Sequence, residues 1–156
     1  MMEESDSVNI LFKWSRFEEL DLAELYEILR LRQQVFIIEQ VSLYPDIDGN
    51  DPAALHLAAH GDDGGLIGCL RLLPPGITSR RPAVGRLAID KSFRGLKLGN
   101  RLMAESIRKA GELYESRGIY ISAQQHLIPF YGGLGFVPRG DPYDEDGILH
   151  VDMIRP

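Results

Sequence analysis

One stretch of the 156-residue chain combines residue types that suit the binding of a phosphate. Its sequence, 84–101, predicts a strand, a loop containing Gly95 and Gly99, and the start of a helix. Between Arg80 and Arg101 there are seven basic residues and one acid, although the whole chain has a net charge of −6. A helix that follows a glycine loop offers unpaired backbone N–H groups, the positive end of its dipole and close access to the backbone. This arrangement is typical of phosphate and pyrophosphate sites.

A second interpretation of the same stretch stays open. The basic residues can form a solvated surface while the glycines only shape a turn. The loop lacks the Gly-Lys-Ser/Thr of a P-loop, and it lacks three glycines at the spacing of a dinucleotide-binding fold. The stretch therefore predicts a phosphate ligand without naming a common nucleotide.

The elements around this stretch follow from hydrophobic periodicity and turn residues. The predicted strands cover 8–14, 55–60, 66–73, 84–90, 119–123, 136–137 and 149–154. The predicted helices cover 22–36, 100–117 and 127–132, and Asp21 with Glu24 forms a capping box before the first. The segments 44–52, 74–82 and the acidic 141–146 are predicted as loops.

Composition limits the class of protein. The chain is 44% hydrophobic and 26% charged, which fits one domain at 8–156 after a polar, flexible segment at 1–7. Its apolar runs are too short to span a membrane, and nothing resembles an export signal, so we expect a cytoplasmic protein. An isoelectric point near 5.2 disfavours nucleic-acid binding. The single cysteine, Cys69, rules out an internal disulfide and is expected in the core.

Two motifs resemble the GNAT superfamily of N-acetyltransferases. Arg94, Lys97 and Gly99 match its Arg/Gln-x-x-Gly-x-Gly/Ala segment, except that Lys97 replaces the first glycine, which adds charge and removes backbone freedom. Residues 123–136 end in Phe-Tyr-x-x-Leu-Gly-Phe and resemble the second signature. The resemblance implies an α/β fold, the acyl-CoA N-acyltransferase (GNAT) fold, with a mixed, mostly antiparallel sheet flanked by helices.

Two further segments resemble the ElaA-type branch of the superfamily. They are residues 31–40 and residues 141–150, in which Glu145-Asp146-Gly147 precedes His150. Together with the two motifs they extend the resemblance over nearly the whole chain.

The resemblance implies acetyl-CoA as cofactor, with CoA as product. Its pyrophosphate would lie on the backbone amides of the glycine loop, which comprises Arg94, Gly95, Leu96, Lys97, Leu98, Gly99 and Asn100. The strand before the loop would diverge from its neighbour and bind the pantetheine arm through the backbone of Leu87, Ala88 and Ile89. Gln124 stands where many members have an asparagine that contacts the cofactor.

The resemblance places Tyr131 beside the reacting thioester. Direct acyl transfer needs an amine that attacks and a thiolate that leaves, and a phenol can give the thiolate its proton. Backbone N–H groups of the diverging strand can polarise the thioester carbonyl. Without the motif, Tyr131 between Phe130 and Phe136 would be interpreted as an ordinary core aromatic.

Glu39, at the end of the first helix, is the predicted general base, because that region borders the acceptor site in many relatives. The alternative is a solvated glutamate. Several GNAT enzymes have a glutamate base in the strand before the glycine loop, and this chain has none there.

Other clusters do not predict a metal site. His56 and His60 lie four residues apart on one strand face but lack a third ligand. The segment 46–51 starts like a calcium loop but lacks the required glycine and the bidentate glutamate. The acids of 46–51 and 141–146 either attract a cationic amine or form solvated loops, and His150 could border the acceptor pocket.

We therefore predict an acetyl-CoA-dependent N-acetyltransferase. It would transfer the acetyl group to a primary amine of a small molecule or peptide by direct attack in a ternary complex. The uneven distribution of charge mildly favours a cationic acceptor. No metal, nucleic acid or membrane partner is expected, and a homodimer is compatible with the sequence. The alternatives are a non-catalytic CoA-binding sensor or scaffold, and a protein that binds another phosphate ligand such as a nucleotide.

Overall fold

In a computed structural model, which describes residues 9–114 and 118–156, seven strands form one sheet in the order β1-β2-β3-β4-β5-β7-β6. Neighbouring strands are antiparallel except β4 and β5, which are parallel. The strands are β1 (Leu11–Arg16), β2 (Leu55–His60), β3 (Leu66–Leu73), β4 (Ala83–Ile89), β5 (Ile119–Gln124), β6 (Val137–Glu145) and β7 (Ile148–Arg155). This confirms the predicted α/β class and the mixed, mostly antiparallel sheet.

Within the described residues, three α-helices flank the sheet: α1 (Leu22–Arg32), α2 (Leu98–Tyr114) and α3 (Ile128–Gly132). The predicted capping box is present at α1, where Asp21 Oδ1 accepts the Glu24 N–H at 2.7 Å. Beyond α1 the chain continues as a π-helix, Gln33–Glu39, so the helical region extends past the predicted end at residue 36. The predicted end of α2 at 115–117, the predicted flexible segment 1–7 and the start of the first strand at Val8 lie outside the described residues.

The two larger hydrophobic cores of the described residues lie on opposite faces of the sheet. On one face the buried stripe of α2, including Leu102 and Met103, packs against inward side chains such as Leu57 and Met153. On the other face α1 and the π-helix pack against Cys69 of β3 and Ala88 of β4. Because side chains alternate along a strand, the face of β5 and β7 opposite α2 carries polar residues instead.

β6 overturns the prediction of a loop at 141–146. The predicted strand covered only 136–137, whereas β6 extends from Val137 to Glu145 and the chain turns at Asp146 and Gly147. Its sequence, VPRGDPYDE, contains two prolines and a glycine, which are tolerated because β6 is an edge strand whose outer N–H groups need no partner. A register shift between Arg139 and Tyr143 adapts the pairing to β7.

Candidate active site

The functional cleft lies between β4 and β5. The described pairing of these two strands consists of Ala83 opposite Tyr120, which agrees with the divergence expected here. Beyond it opens a cleft of about 510 Å³, with Leu87 on the β4 side and Ser122 on the β5 side. Parallel strands that stop pairing leave backbone groups free for a ligand.

A β-bulge shapes the β4 wall of the cleft. The register between β3 and β4 shifts between Cys69 and Arg71, and Arg86 has φ of +55°. Such bulges turn side chains away from the regular alternation and are common beside active sites. Both Arg86 and Leu87 consequently line the cleft.

The glycine loop leads directly into α2. The Arg101 N–H donates to the Lys97 carbonyl at 3.1 Å, which closes the first turn of the helix. The amides of Leu98, Gly99 and Asn100 precede that first intrahelical donor, so they have no carbonyl partner within the helix. Leu98 is buried as a whole residue, whereas Gly99 is half-buried and Asn100 is exposed. The loop thus has the form expected of a pyrophosphate cradle.

The two glycines of this loop have different roles. Gly95 has φ of +84° and open space where a Cβ would lie, so it permits close approach of a ligand. At Gly99 a Cβ would lie 3.2 Å from Ile89 Cδ1 and 3.5 Å from Phe130 Cζ. Gly99 therefore allows α2 to pack closely against β4 and α3, a role that the sequence interpretation did not include.

Lys97 adopts the left-handed conformation, with φ of +58°, at the position where the family motif has glycine. We expect Lys97→Gly to have a free energy of unfolding about 1 kcal/mol higher than that of Lys97→Ala, because a Cβ is unfavourable at this φ. Urea denaturation of both variants tests this difference. Both lose the same charge, so equal stabilities would show that the backbone is not strained.

Arg94 and Glu39, which were assigned separate roles, form an ion pair. Arg94 Nη2 donates to Glu39 Oε2 at 2.6 Å and to the Ile89 carbonyl at 3.0 Å. Ile89 ends β4, so the pair lies at the phosphate end of that strand. Gly85, at the middle of the cleft wall, is four residues away, or about 13 Å at roughly 3.3 Å per residue. Among the described residues that line the cleft, Glu39 does not occur, and its role as base stays a prediction.

Tyr131 packs against core aromatics and also borders the cleft, while its role as an acid stays a prediction. Its ring packs edge-on against Phe130 at 4.9 Å and Phe136 at 6.0 Å between centroids, and it also lines the cleft. Burial raises the pKa of the Tyr131 phenol to about 12. At neutral pH the phenol is therefore protonated and able to act as an acid.

Gln124 joins the two sides of the cleft. Its Nε2 donates to Gln40 Oε1, 3.2 Å away, at the end of the π-helix. Both side chains line the cleft. This hydrogen bond links the end of β5 to the residue that follows the π-helix.

The acids of the segment 46–51 belong to an internal ion-pair network that the sequence analysis missed. Arg32 Nε donates to Asp46 at 2.9 Å, and its Nη1 donates to Asp51 at 2.8 Å. Arg71 Nη1 donates to Asp48 at 2.8 Å and to Asp51 at 2.9 Å. The hydrogen bonds from Arg71 hold the pKa of Asp48 well below its usual range. Asp46 and Asp51 are thus buried partners of arginines, whereas Asp48 is paired with Arg71 but stays exposed at the cleft.

Arg86 completes the network from the bulge of β4. Its Nε lies 2.8 Å from Asp46 Oδ1, so it also leaves the group of basic residues assigned to a phosphate cradle. The one sequence signal for the network was an arginine inside an apolar run, as at Arg32 after Leu31 and at Arg71 between Leu70 and Leu72. A buried arginine requires acidic partners.

His56, the first member of the histidine pair, contacts the backbone of the segment 46–51. His56 Nε2 lies 2.9 Å from the Asp51 carbonyl oxygen, and burial lowers the pKa of the ring. Within residues 9–114 and 118–156, no three metal-ligating side chains converge. Over the same residues, no helix has the length and apolarity needed to cross a bilayer.

The fold and the cleft between diverging parallel strands are those of an acyl-CoA N-acyltransferase. The chain belongs to the GNAT acetyltransferase family, whose model, described as an acetyltransferase (GNAT) domain, matches residues 27–155. Members of this family transfer an acyl group to an amine acceptor, and this chain is an acyltransferase.

Individual proteins that are similar to this chain support the family assignment. The chain is similar to ElaA of Escherichia coli, with 34% identity over 88% of this chain and 90% of that protein. The crystal structure of E. coli ElaA matches with a TM-score of 0.88, covering 95% of this chain and 100% of that one. A UPF0039 protein of Synechocystis is 39% identical over 94% of this chain and 96% of its own length. An acyl-CoA N-acyltransferase of Pseudomonas aeruginosa is 36% identical, with a TM-score of 0.88 over 96% and 100% of the two chains.

Proposed function

We propose that this protein is an N-acetyltransferase that uses acetyl-CoA as donor and a primary amine as acceptor. The amine attacks the thioester directly in a ternary complex, without a covalent enzyme intermediate. The single observation that carries the proposal is the position of Tyr131, whose protonated phenol borders the cleft between the diverging strands.

The residues of the cleft fit an acyl-CoA. The open backbone at Gly95 and the amides at the start of α2 suit its pyrophosphate, and the wall formed by Leu87 suits its pantetheine arm. When bound, the cofactor supplies an activated acetyl thioester. Tyr131 donates a proton to the departing sulfur, and backbone N–H groups of β4 stabilise the oxyanion that forms during attack.

Ligand binding and thiol release test the proposal together. Acetyl-CoA and CoA are expected to raise the melting temperature, because a ligand that binds only the native state stabilises it. ATP is expected to raise it less. Free CoA is then measured with a thiol reagent in the presence of spermidine, L-lysine, glycine ethyl ester and a lysine-containing peptide. If acetyl-CoA stabilises the protein but no CoA thiol is released with any of these amines, the CoA-binding sensor is favoured. Stabilisation by ATP alone would favour a nucleotide-binding protein.

Arg94→Ala is expected to weaken acetyl-CoA binding by about 1–3 kcal/mol, as measured by calorimetry, because a charged hydrogen bond to phosphate is lost. Glu39→Gln is the matched variant, since it removes the carboxylate that holds Arg94 Nη2 in this structure. It is expected to leave acetyl-CoA affinity equal or higher. A large loss of turnover in Glu39→Gln would support Glu39 as the base, whereas unchanged affinity in Arg94→Ala would show that the backbone amides alone hold the phosphates.

A further inference from the structure

The β5–β7 part of the sheet presents a polar face to the cleft. Its members are the side chains that alternate with the buried residues of the α2 core, and those lining the cleft are Tyr120, Ser122, Gln124, Tyr143, Glu145 and His150. From the sequence, Gln124 was expected to contact the cofactor, His150 to border the acceptor pocket and Glu145 to belong to the acidic segment 141–146, but none of them was assigned a step of the reaction. Each is placed by the register of three strands, so their arrangement is rigid.

His150 is fixed on this face with one ring nitrogen free. Its Nδ1 lies 2.8 Å from the Ile148 carbonyl oxygen. A carbonyl only accepts, so Nδ1 carries the hydrogen and Nε2 of the neutral ring keeps its lone pair. The Tyr143 ring stacks on the imidazole at 6.2 Å between centroids, and Glu145 Oε2 lies 3.6 Å from Nε2.

Other basic groups on the cleft are less suited to accept a proton. Asp48 is held by Arg71 and Arg86. Glu145 is half-exposed on the edge strand β6, and its carboxylate lies beside the His150 ring. Histidine is the side chain whose ordinary titration, at about pH 5 to 8, makes it an efficient base at neutral pH.

We propose that His150 is the general base of the transfer and that Glu145 stabilises the imidazolium ion that results. This inference rests on the proposed function. An ammonium proton of the acceptor passes to Nε2, the freed lone pair forms the C–N bond with the thioester carbon, and the C–S bond breaks as the tetrahedral adduct collapses. The sulfur takes the Tyr131 proton, the phenolate recovers the second proton of the amine, and His150 releases its proton to water.

The test compares thiol release by the wild type with that by His150→Gln at a series of pH values. With spermidine or L-lysine, His150→Gln is expected to lower kcat/KM by about 100-fold or more and to abolish the fall of wild-type activity toward acidic pH. The groups that face His150 are Glu145 and Tyr143 of β6, Asp146 of the turn and the uncharged Gln124 of β5, so Glu145→Gln is measured alongside. It is expected to lower activity less and to retain the pH dependence.

Hydroxylamine provides a second acceptor with a different requirement. It is unprotonated at neutral pH, so its first step needs no base, and His150→Gln is expected to retain activity toward it within about tenfold. The matched control is His126→Gln, at an exposed histidine outside the cleft lining, which is expected to leave all rates unchanged. Acetyl-CoA binding and the melting temperature of each variant show whether it is folded.

The possible outcomes separate the two proposals. Wild-type activity that His150→Gln leaves intact, or lowers equally for hydroxylamine and alkylamines, would overturn the role of His150 and keep the proposed function. If the wild type binds acetyl-CoA but transfers to no amine, the proposed function fails, and the role of His150 fails with it.

Discussion

Tyr131→Phe is expected to lower kcat about 10²- to 10⁴-fold while the dissociation constant of acetyl-CoA stays nearly unchanged. The phenol lines the cleft, and burial alone raises its pKa to about 12, so the wild-type side chain holds a proton that phenylalanine cannot supply. The phenylalanine ring preserves the edge-on contacts with Phe130 and Phe136. The measurement is thiol release for kcat and calorimetry for acetyl-CoA affinity.

Tyr26→Phe is the control for this experiment. Tyr26 lies on α1 with 69% of its surface exposed, so loss of its hydroxyl leaves the cleft intact. Unchanged turnover in Tyr131→Phe would remove the phenol from the mechanism and leave the aromatic packing as its role. A loss of affinity equal to the loss of turnover would indicate a binding role instead.

Arg32→Met is expected to lower the free energy of unfolding by about 3–5 kcal/mol, because it removes one of the two arginine partners of both Asp46 and Asp51. One negative charge of the buried network is then left uncompensated. Arg32 is only 1% exposed, so water cannot replace the lost hydrogen bonds. Methionine fills similar space, which limits any contribution from a cavity. Urea denaturation measures the change.

Arg30→Met is the matched control on the same helix. Arg30 pairs with Glu27 at 3.0 Å on an exposed surface, and such pairs contribute about 1 kcal/mol or less. Similar decreases in the free energy of unfolding of the two variants would show that the buried network stabilises the fold no more than an exposed ion pair does. A folded Arg32→Met protein with weakened amine transfer would show that the network also positions the cleft wall.

The effect of Arg32→Met on amine transfer would have a structural basis. The segment 44–52 reaches the cleft through Tyr44, whose ring lies 5.4 Å below the Arg86 guanidinium. Arg86 itself belongs to the bulge of β4, so one ion-pair network joins α1, β3, β4 and this segment. The network consequently connects the helix that packs beside the cleft to the strand that forms its wall.

Local patterns were sufficient for much of this protein. The capping box at Asp21, the two strands β2 and β3 and the apolar stripe of α2 each depend on neighbours in the chain, and all are present. The strand, glycine loop and helix at 84–101 depend on local geometry as well, which is why the proposed phosphate cradle could be recognised. β6 could not be predicted as a strand from local patterns, because its prolines disfavour a strand in general and are tolerated only at the edge of a sheet.

The sequence by itself thus determined the family resemblance, since short motifs carry it, and the resemblance implied the fold class and the candidate roles of Tyr131 and the glycine loop. Only the tertiary structure decided which charges neutralise one another: Arg94 with Glu39, and Arg32 with Asp46 across 14 positions of sequence. It also decided the neighbours of His150 at the cleft, Gln124 and Tyr143, because they follow from the register of β7 with β5 and β6. Electrostatic partners and cross-strand neighbours depend on contacts between distant segments, and a linear pattern does not contain them.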